Sequence, residues 1–348
     1  MVFIRVDANS EIASGHLMRM ITVAKELEKR GEVVIFICAD DNPKQTLLDN
    51  DLYMINLEGD WKDLSKESSK MLLILADEEE MPILLIDTYS VSMMYVNLLS
   101  MFSKVCYLGS KKENLGNLSL LINYSADIDQ KFYEENYPNT RLLLGVEYSV
   151  LRPEFVGYER DFVKPSNHVL LTTGNTDNHS VVLSILDKIQ PEYYTEDDFC
   201  WEDFDIHFDV VVGSMFKDRE ELFKRYSNCP WVTLHENPDM ASLMKECNIA
   251  ITAGGNTMNE LAAMGVAIVA LSISEDQVNE CKCFAKNEAC VYAGSVLSNY
   301  DSVINYAILN LRSLLRNDNL RIKIAKNAKE FVIGNGVEKV CDAIMELE

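Results

Sequence analysis

Short apolar runs recur from one end of this chain to the other, and they constrain the fold more than any other feature. Val2–Val6, Val33–Ile37, Ile83–Ile86, Val105–Leu108 and Leu120–Ile122 mark the first half; 169–173, 208–212, 231–234, 249–251 and 267–271 mark the second. Runs apolar on both sides of the pleat suit strands covered on both faces, the habit of parallel sheets flanked by helices. Helical spacing fills the intervals. Leu17, Met20, Ile21, Ala24 and Leu27 line one face of a helix whose other face carries Lys25, Glu26, Glu28 and Lys29. Segments 238–246 and 256–264 repeat the pattern. The alternation predicts two α/β domains, each doubly wound, and 348 residues exceed one ordinary domain.

The boundary is expected in "LRPEFVGYERDFVKPSNH", residues 151–168, which holds two prolines, a glycine and mixed charges. It divides the chain into a first domain over 1–160 and a second over 161–348, with the final helices packing back on the first. The acidic, aromatic stretch "YTEDDFCWEDFD", residues 194–205, reads as a solvated connection.

Charge and cysteine content exclude several classes. A formal charge of −23 argues against a nucleic-acid surface, which needs clustered Lys and Arg. It leaves room for small anions, because a helix N-terminus binds phosphate without many cations. Nine scattered cysteines without paired CxxC motifs read as reduced, mostly buried thiols of a cytoplasmic protein. The chain enters a strand at once, without a signal-peptide pattern, and no apolar run is long enough to span a bilayer. Asp127-Ile128-Asp129 spells D-x-D, but it lacks companion ligands, so neither metal nor cofactor is expected.

Two segments carry candidate chemistry. After the first strand, a turn-rich loop through Ser14 and Gly15 places His16 at the start of a helix. A positive helix N-terminus disfavours imidazolium, so His16 suits a neutral general base; it equally suits a helix cap. In the second half, a strand ends in Gly254-Gly255, and Asn256 and Thr257 begin a helix that carries Glu260 one turn in. The glycines permit close approach of phosphates, the first-turn N–H groups can hold them, and Glu260 can accept ribose hydroxyls. Gln277 follows in the next loop. The plainer reading is a tight strand–helix junction, and it prevails for Gly265.

The pattern G-G-x-T-x-x-E over 254–260, followed by Asp276-Gln277, resembles the nucleotide site of GT-B glycosyltransferases. That likeness implies two Rossmann-like domains facing across a cleft and metal-free UDP binding, with Asn256 and Thr257 on phosphate, Glu260 on ribose and Gln277 on sugar or phosphates. "RVDANSEIASGHLMRMITVAKEL", Asp87-Thr88-Tyr89, Asn123 and "LLLGVEYSVLRPEF" are similar, over nearly the full length, to the pseudaminic acid pathway's UDP-sugar hydrolases and the related spore-coat polysaccharide proteins. The resemblance implies release of UDP from UDP-2,4-diacetamido-2,4,6-trideoxy-β-L-altropyranose, with His16 activating a water that attacks C1 opposite UDP. One motif departs: where the family has a Gly-Gly-Ser-Asp type loop, this chain has "TTGNTDNHS", with Gly174 then Asn175. Asn175 can turn the backbone or bind phosphate.

Other candidates keep two roles each. Asp87 and Tyr89 hold sugar or water, or Asp87 caps the next helix. Arg152 reaches a phosphate or makes a bridging salt bridge. Arg19 orients substrate or is an exposed helix residue. His168, His207 and His235 read as structural, and His179 as a minor site candidate. The leading expectation is a UDP-sugar hydrolase. The alternatives are a transferase passing the sugar to a soluble acceptor, and a sugar-nucleotide binder without turnover.

Overall fold

The computed structural model describes residues 1–9, 15–164, 166–189 and 205–347. Ser14 and all of the 194–205 stretch except Asp205 therefore lie outside the described residues. The chain forms two compact units, Met1–Pro153 with Gly334–Glu348, and Glu154–Ile333.

The first unit opens with β1 (Val2–Val6), α1 (Gly15–Lys29), β2 (Val34–Cys38), α2 (Lys44–Leu48) and β3 (Tyr53–Asn56). It continues with α3 (Ser68–Ala76), β4 (Ile83–Asp87), α4 (Met93–Leu99), β5 (Lys104–Leu108), β6 (Leu120–Asn123), α5 (Gln130–Asn136) and β7 (Arg141–Leu144). Its seven strands, ordered β3-β2-β1-β4-β5-β6-β7, are all parallel. Leu17, Met20, Ile21, Ala24 and Leu27 of α1 bury against one face, as their spacing predicts. Val340, Cys341 and Ile344 join the same core from the last helix of the chain, Gly336–Met345. Leu75, Tyr95 and Leu99, from α3 and α4, cover the other face.

The second unit contains β8 (His168–Thr172), β9 (Thr176–Asp177), α6 (Val181–Lys188), β10 (His207–Val211), β11 (Met215–Phe216), α7 (Arg219–Tyr226) and β12 (Val232–His235). There follow α8 (Met240–Glu246), β13 (Ile249–Ala253), α9 (Asn256–Ala263), β14 (Ala267–Ser272), α10 (Asp276–Lys286), β15 (Val291–Ser295), α11 (Tyr300–Arg316) and α12 (Asp318–Phe331). Six strands form a parallel sheet ordered β12-β10-β8-β13-β14-β15, and β9 pairs with β11 separately.

In each sheet the chain winds outward from the first strand and then starts again on that strand's other side. The reversals fall between β1 and β4 and between β8 and β13. Open α/β sheets bind ligands outside the carboxyl ends of the strands at such a reversal.

Buried arginines depart from the apolar pattern, Arg5 and Arg160 among them. Arg5, in the middle of β1, is fully buried; its Nε donates to Glu67 at 2.7 Å and its Nη1 pairs with Asp7 at 2.6 Å. Asp7 in turn accepts the Ala39 N–H. Arg160 donates to the carbonyls of Met264 (2.6 Å), Cys247 (2.9 Å) and Met244 (2.5 Å). Those carbonyls close the C-terminal turns of α9 and α8, where a cation offsets the negative helix end. Residues 154–160 are grouped with the second unit, Glu154–Ile333.

Arg160→Ala leaves three helix-end carbonyls without their donor and is expected to cost about 3 kcal/mol. Urea unfolding should read this loss, with Arg160→Lys recovering only part of it, because an ammonium cannot span all three acceptors.

Candidate functional site

The carboxyl ends of β1 and β4 bring five sequence-predicted residues together. Gly15 and His16 open α1, and Asp87 is the last residue of β4. His16 Nδ1 lies 2.5 Å from Asp87 Oδ1. Arg19, one turn along α1, donates from Nε to Asp87 Oδ2 at 2.5 Å, and its Nη2 reaches Oδ1 as well. Tyr89 stands with its ring edge-on to the His16 ring, centroids 4.6 Å apart, and is 63% exposed. Asp87 does not cap α4; Ser92 does, accepting from the Tyr95 N–H.

The electrostatics decide the tautomer of His16. Burial pushes the Asp87 carboxyl up, but the Arg19 charge and hydrogen bonds, with the His16 hydrogen bond, outweigh it and hold Asp87 below the ordinary carboxylate value. An ionised carboxylate only accepts and a guanidinium only donates. Nδ1 must therefore carry the proton that Asp87 receives, and Arg19 Nη2, 2.9 Å from Nδ1, is a close approach and not a hydrogen bond. In the neutral ring this leaves the lone pair on Nε2, where a general base requires it. Sequence reasoning missed Tyr124, just past β6, whose hydroxyl accepts from Arg19 Nη1 at 2.8 Å. Arg19 is accordingly not an exposed helix residue: its side chain is 15% exposed and its guanidinium is bound on two sides.

In the second unit, Gly254 and Gly255 differ. A Cβ on Gly254 would meet Cys281 Sγ and Gln277 Cβ, each at 2.9 Å, so this glycine exists for the packing of α10. A Cβ on Gly255 would meet nothing within 4 Å, and its φ of +119° with ψ of −164° is glycine territory. Gly255 is also the N-cap of α9 and supplies no side-chain cap. Asn256, Thr257 and Glu260 share the outward face of α9, while Met258, Asn259, Leu261 and Ala262 are buried. Gln277 Oε1 accepts the Ile273 N–H at 2.9 Å and so holds the β14–α10 turn. Gly265 ends α9 with φ +66°; its own N–H and that of Val266 bond Ala262 O and Leu261 O, a packing role.

The loop after β8 is occupied by its own contacts. Gly174 takes the positive φ of +90°, whereas Asn175 does not adopt that conformation. Asn175 Oδ1 instead accepts from the N–H (3.2 Å) and hydroxyl (3.0 Å) of Ser214, beyond β10. Asp177 accepts from Val181 and Val182 N–H, each at 2.9 Å, which caps α6 with a carboxylate. An anion is thus met at α6 by negative charge and at α9 by an uncapped first turn.

Arg152 is half-buried beside Pro153, at the end of the first unit's main stretch. Asp129 of the D-x-D caps α5 through the Phe132 N–H and pairs with Lys112 at 2.8 Å. His168 Nδ1 and His235 Nε2 flank Asp209 at 2.6 and 2.8 Å, and His207 bonds Thr233. His179 is exposed in the turn before α6. No helix among the described residues is long and apolar enough to cross a membrane.

Comparison with known proteins agrees with this architecture. Residues 200–344 match a family model described as a protein of unknown function, DUF354. The chain is 23% identical to the uncharacterized protein MJ1062 of Methanocaldococcus jannaschii over 80% of its own length and 57% of that protein. It is 27% identical to the spore coat polysaccharide biosynthesis protein SpsG of Bacillus subtilis over 64% of its length and 62% of SpsG. The chain thus spans about six-tenths of each of these two relatives. A UDP-2,4-diacetamido-2,4,6-trideoxy-beta-L-altropyranose hydrolase of Campylobacter jejuni is 23% identical over 82% of this chain and 96% of that enzyme. Among solved structures, Acinetobacter baumannii MurG superposes with TM-score 0.62 at 16% identity, covering 99% of both chains. Anabaena Alr3699/HepE, solved with UDP and glucose, gives 0.62 at 12% identity, covering 99% of this chain and 98% of that one. The fold is of GT-B type, two parallel-sheet α/β domains.

Gly254→Ala is expected to destabilise by about 2 kcal/mol through overpacking, with part regained when Cys281→Ala is added; Gly255→Ala should gain nothing from Cys281→Ala, and thermal unfolding of the four variants reads the coupling. Asp87→Asn should cost about 3 kcal/mol at neutral pH, because it unpairs a buried cation. Since the folded carboxyl titrates below its unfolded value of about 3.9, the Asp87 contribution is present above that pH and lost as pH falls through the folded value. Urea unfolding between pH 7 and pH 3 should show the gap between parent and variant narrowing only at the acid end.

Proposed function

We propose that this chain is a metal-independent UDP-sugar hydrolase acting in pseudaminic acid biosynthesis on a UDP-2,4-diacetamido-2,4,6-trideoxyhexose, the altropyranose first among them. The observation that carries the proposal is the His16–Asp87 pair at the strand reversal of the first sheet, with Nε2 left as the base. Support comes from the distant likeness to the Campylobacter hydrolase, which extends over nearly all of that enzyme.

In this proposal a water oxygen attacks the anomeric carbon and gives its proton to His16 Nε2. The bond from C1 to the diphosphate oxygen breaks, and UDP departs with the electron pair. UDP is a good leaving group, so no strong general acid is needed. Attack from the face opposite UDP inverts the anomeric configuration. Gly255 admits the diphosphate to the first turn of α9, where Asn256 and Thr257 bind it, and Glu260 accepts ribose hydroxyls. Tyr89 and Arg152 are assigned to the sugar and to a phosphate.

A base that deprotonates water also deprotonates an acceptor hydroxyl, and glycosyltransferases are among the solved structures sharing this fold. The test is therefore a UDP-release screen over 2,4-diacetamido and simpler UDP-sugars, with and without soluble acceptors. Equal release of UDP and free sugar without acceptor, unaffected by EDTA, is expected. His16→Asn should lower turnover by at least about a hundredfold while UDP binding, read by calorimetry, persists. Glu260→Gln should weaken UDP binding. Normal turnover in His16→Asn would remove the proposed base, and release that requires an acceptor would favour the transferase.

A further inference from the structure

We infer that Arg19 is a positioning residue for His16: its guanidinium balances the buried Asp87 carboxylate, so that the cluster is electrically neutral only while the imidazole is neutral. This rests on the reading of His16 as the base, and it assigns Arg19 a role other than substrate contact.

The side chains of Asp87, His16 and Arg19 are 1%, 12% and 15% exposed, so net charge among them is poorly solvated. With Arg19 present, a neutral ring leaves one positive and one negative charge, and an imidazolium would add a second positive charge beside the first. Without Arg19, a neutral ring would leave Asp87 as a buried anion facing no cation. Taking up a proton on the ring would then be the cheapest way to restore balance. A base must be unprotonated to act, so the sign of this coupling matters for catalysis.

The groups set against the ring support this accounting. Arg19 comes from α1 and Asp87 from the end of β4. Tyr89, from the loop after β4, contributes a ring edge. Tyr124, past β6, accepts from Arg19 and places its ring 5.8 Å from the guanidinium carbon, which holds the cation over Asp87. Tyr107 of β5 lies within the influence of Asp87 and Arg19, and burial pushes its phenol up, so it stays uncharged. One turn of α1 separates Arg19 from His16, which makes the cation part of the same rigid element as the base.

The test is nitrogen NMR of the histidine ring in ligand-free, isotope-labelled full-length protein at pH 7, with His16 assigned through His16→Gln. The parent should show the neutral tautomer protonated on Nδ1. Arg19→Gln should show an imidazolium ring, and its kcat/KM for UDP release should fall about tenfold at pH 7 and recover at higher pH, since each unit of displacement is tenfold in the fraction of free base. Arg19→Lys keeps a cation and should keep the ring neutral. A folded Arg19→Gln protein with a neutral ring overturns the inference. Should that variant not fold, Arg19→Lys decides: a neutral ring upholds the inference, and an imidazolium overturns it. The ring measurement needs no turnover, so failure of every UDP-sugar with the parent protein would sink the hydrolase proposal while leaving this coupling standing.

Discussion

A strand buried on both faces cannot hand the chain to its neighbour through a hairpin without exposing apolar surface. Each connection must cross over the sheet, usually as a helix, and every crossover returns the chain to the same edge of the sheet. The carboxyl ends of the strands therefore collect the loops and the helix N-termini. Where the winding reverses, two such ends diverge and leave room for a ligand. In the first unit that place lies between β1 and β4, which deliver His16 and Asp87; in the second it lies between β8 and β13, which deliver the Gly174 and Gly255 turns.

Equivalent positions in the two windings are then specialised by charge. The helix after β8 is closed by Asp177, whose carboxylate takes up the first N–H groups. The helix after β13 begins at a glycine with no side chain to cap it. The helix after β1 begins with a histidine aimed at a buried carboxylate that a neighbouring arginine keeps ionised. A helix N-terminus is the same dipole in all three cases, and what differs is the group placed against it. The buried guanidinium of Arg160 shows the converse, a cation at two helix C-termini that ties the start of the second unit to its core.

The fold and the chemistry have separate standing. Glycosyltransferase structures superpose on nearly the whole chain at 12–16% identity, a level at which backbone architecture persists while side chains diverge. Function resides in the side chains mounted on such a scaffold. The His16–Asp87–Arg19 cluster and the open α9 turn are therefore the proper ground for a functional proposal, more than the scaffold that carries them.

Much of this was legible from the residues alone, wherever the physical cause was local. Interior strands such as β1, β4, β8 and β13 announce themselves because burial on both faces demands unbroken apolar runs. The amphipathic helices α1 and α9 do so because one face must be apolar at a period of 3.6. Three of the four strands at the edges of the two large sheets, β3, β7 and β15, escaped notice: an edge is paired on one side and partly solvated, so Tyr53–Asn56, Arg141–Leu144 and Val291–Ser295 need no continuous apolar run. The candidate base and the glycine turn were also visible, since both sit at strand-to-helix junctions. Their partners were not. Asp87 lies 71 residues from His16, and Tyr124 lies 105 from Arg19. Whether Gly254 faces a ligand or Cys281, and whether Asn175 binds an anion or Ser214, depends on elements that only the folded sheet brings side by side. Periodicity records which face a residue turns toward the core, but the order in which parallel strands assemble decides whom it meets there.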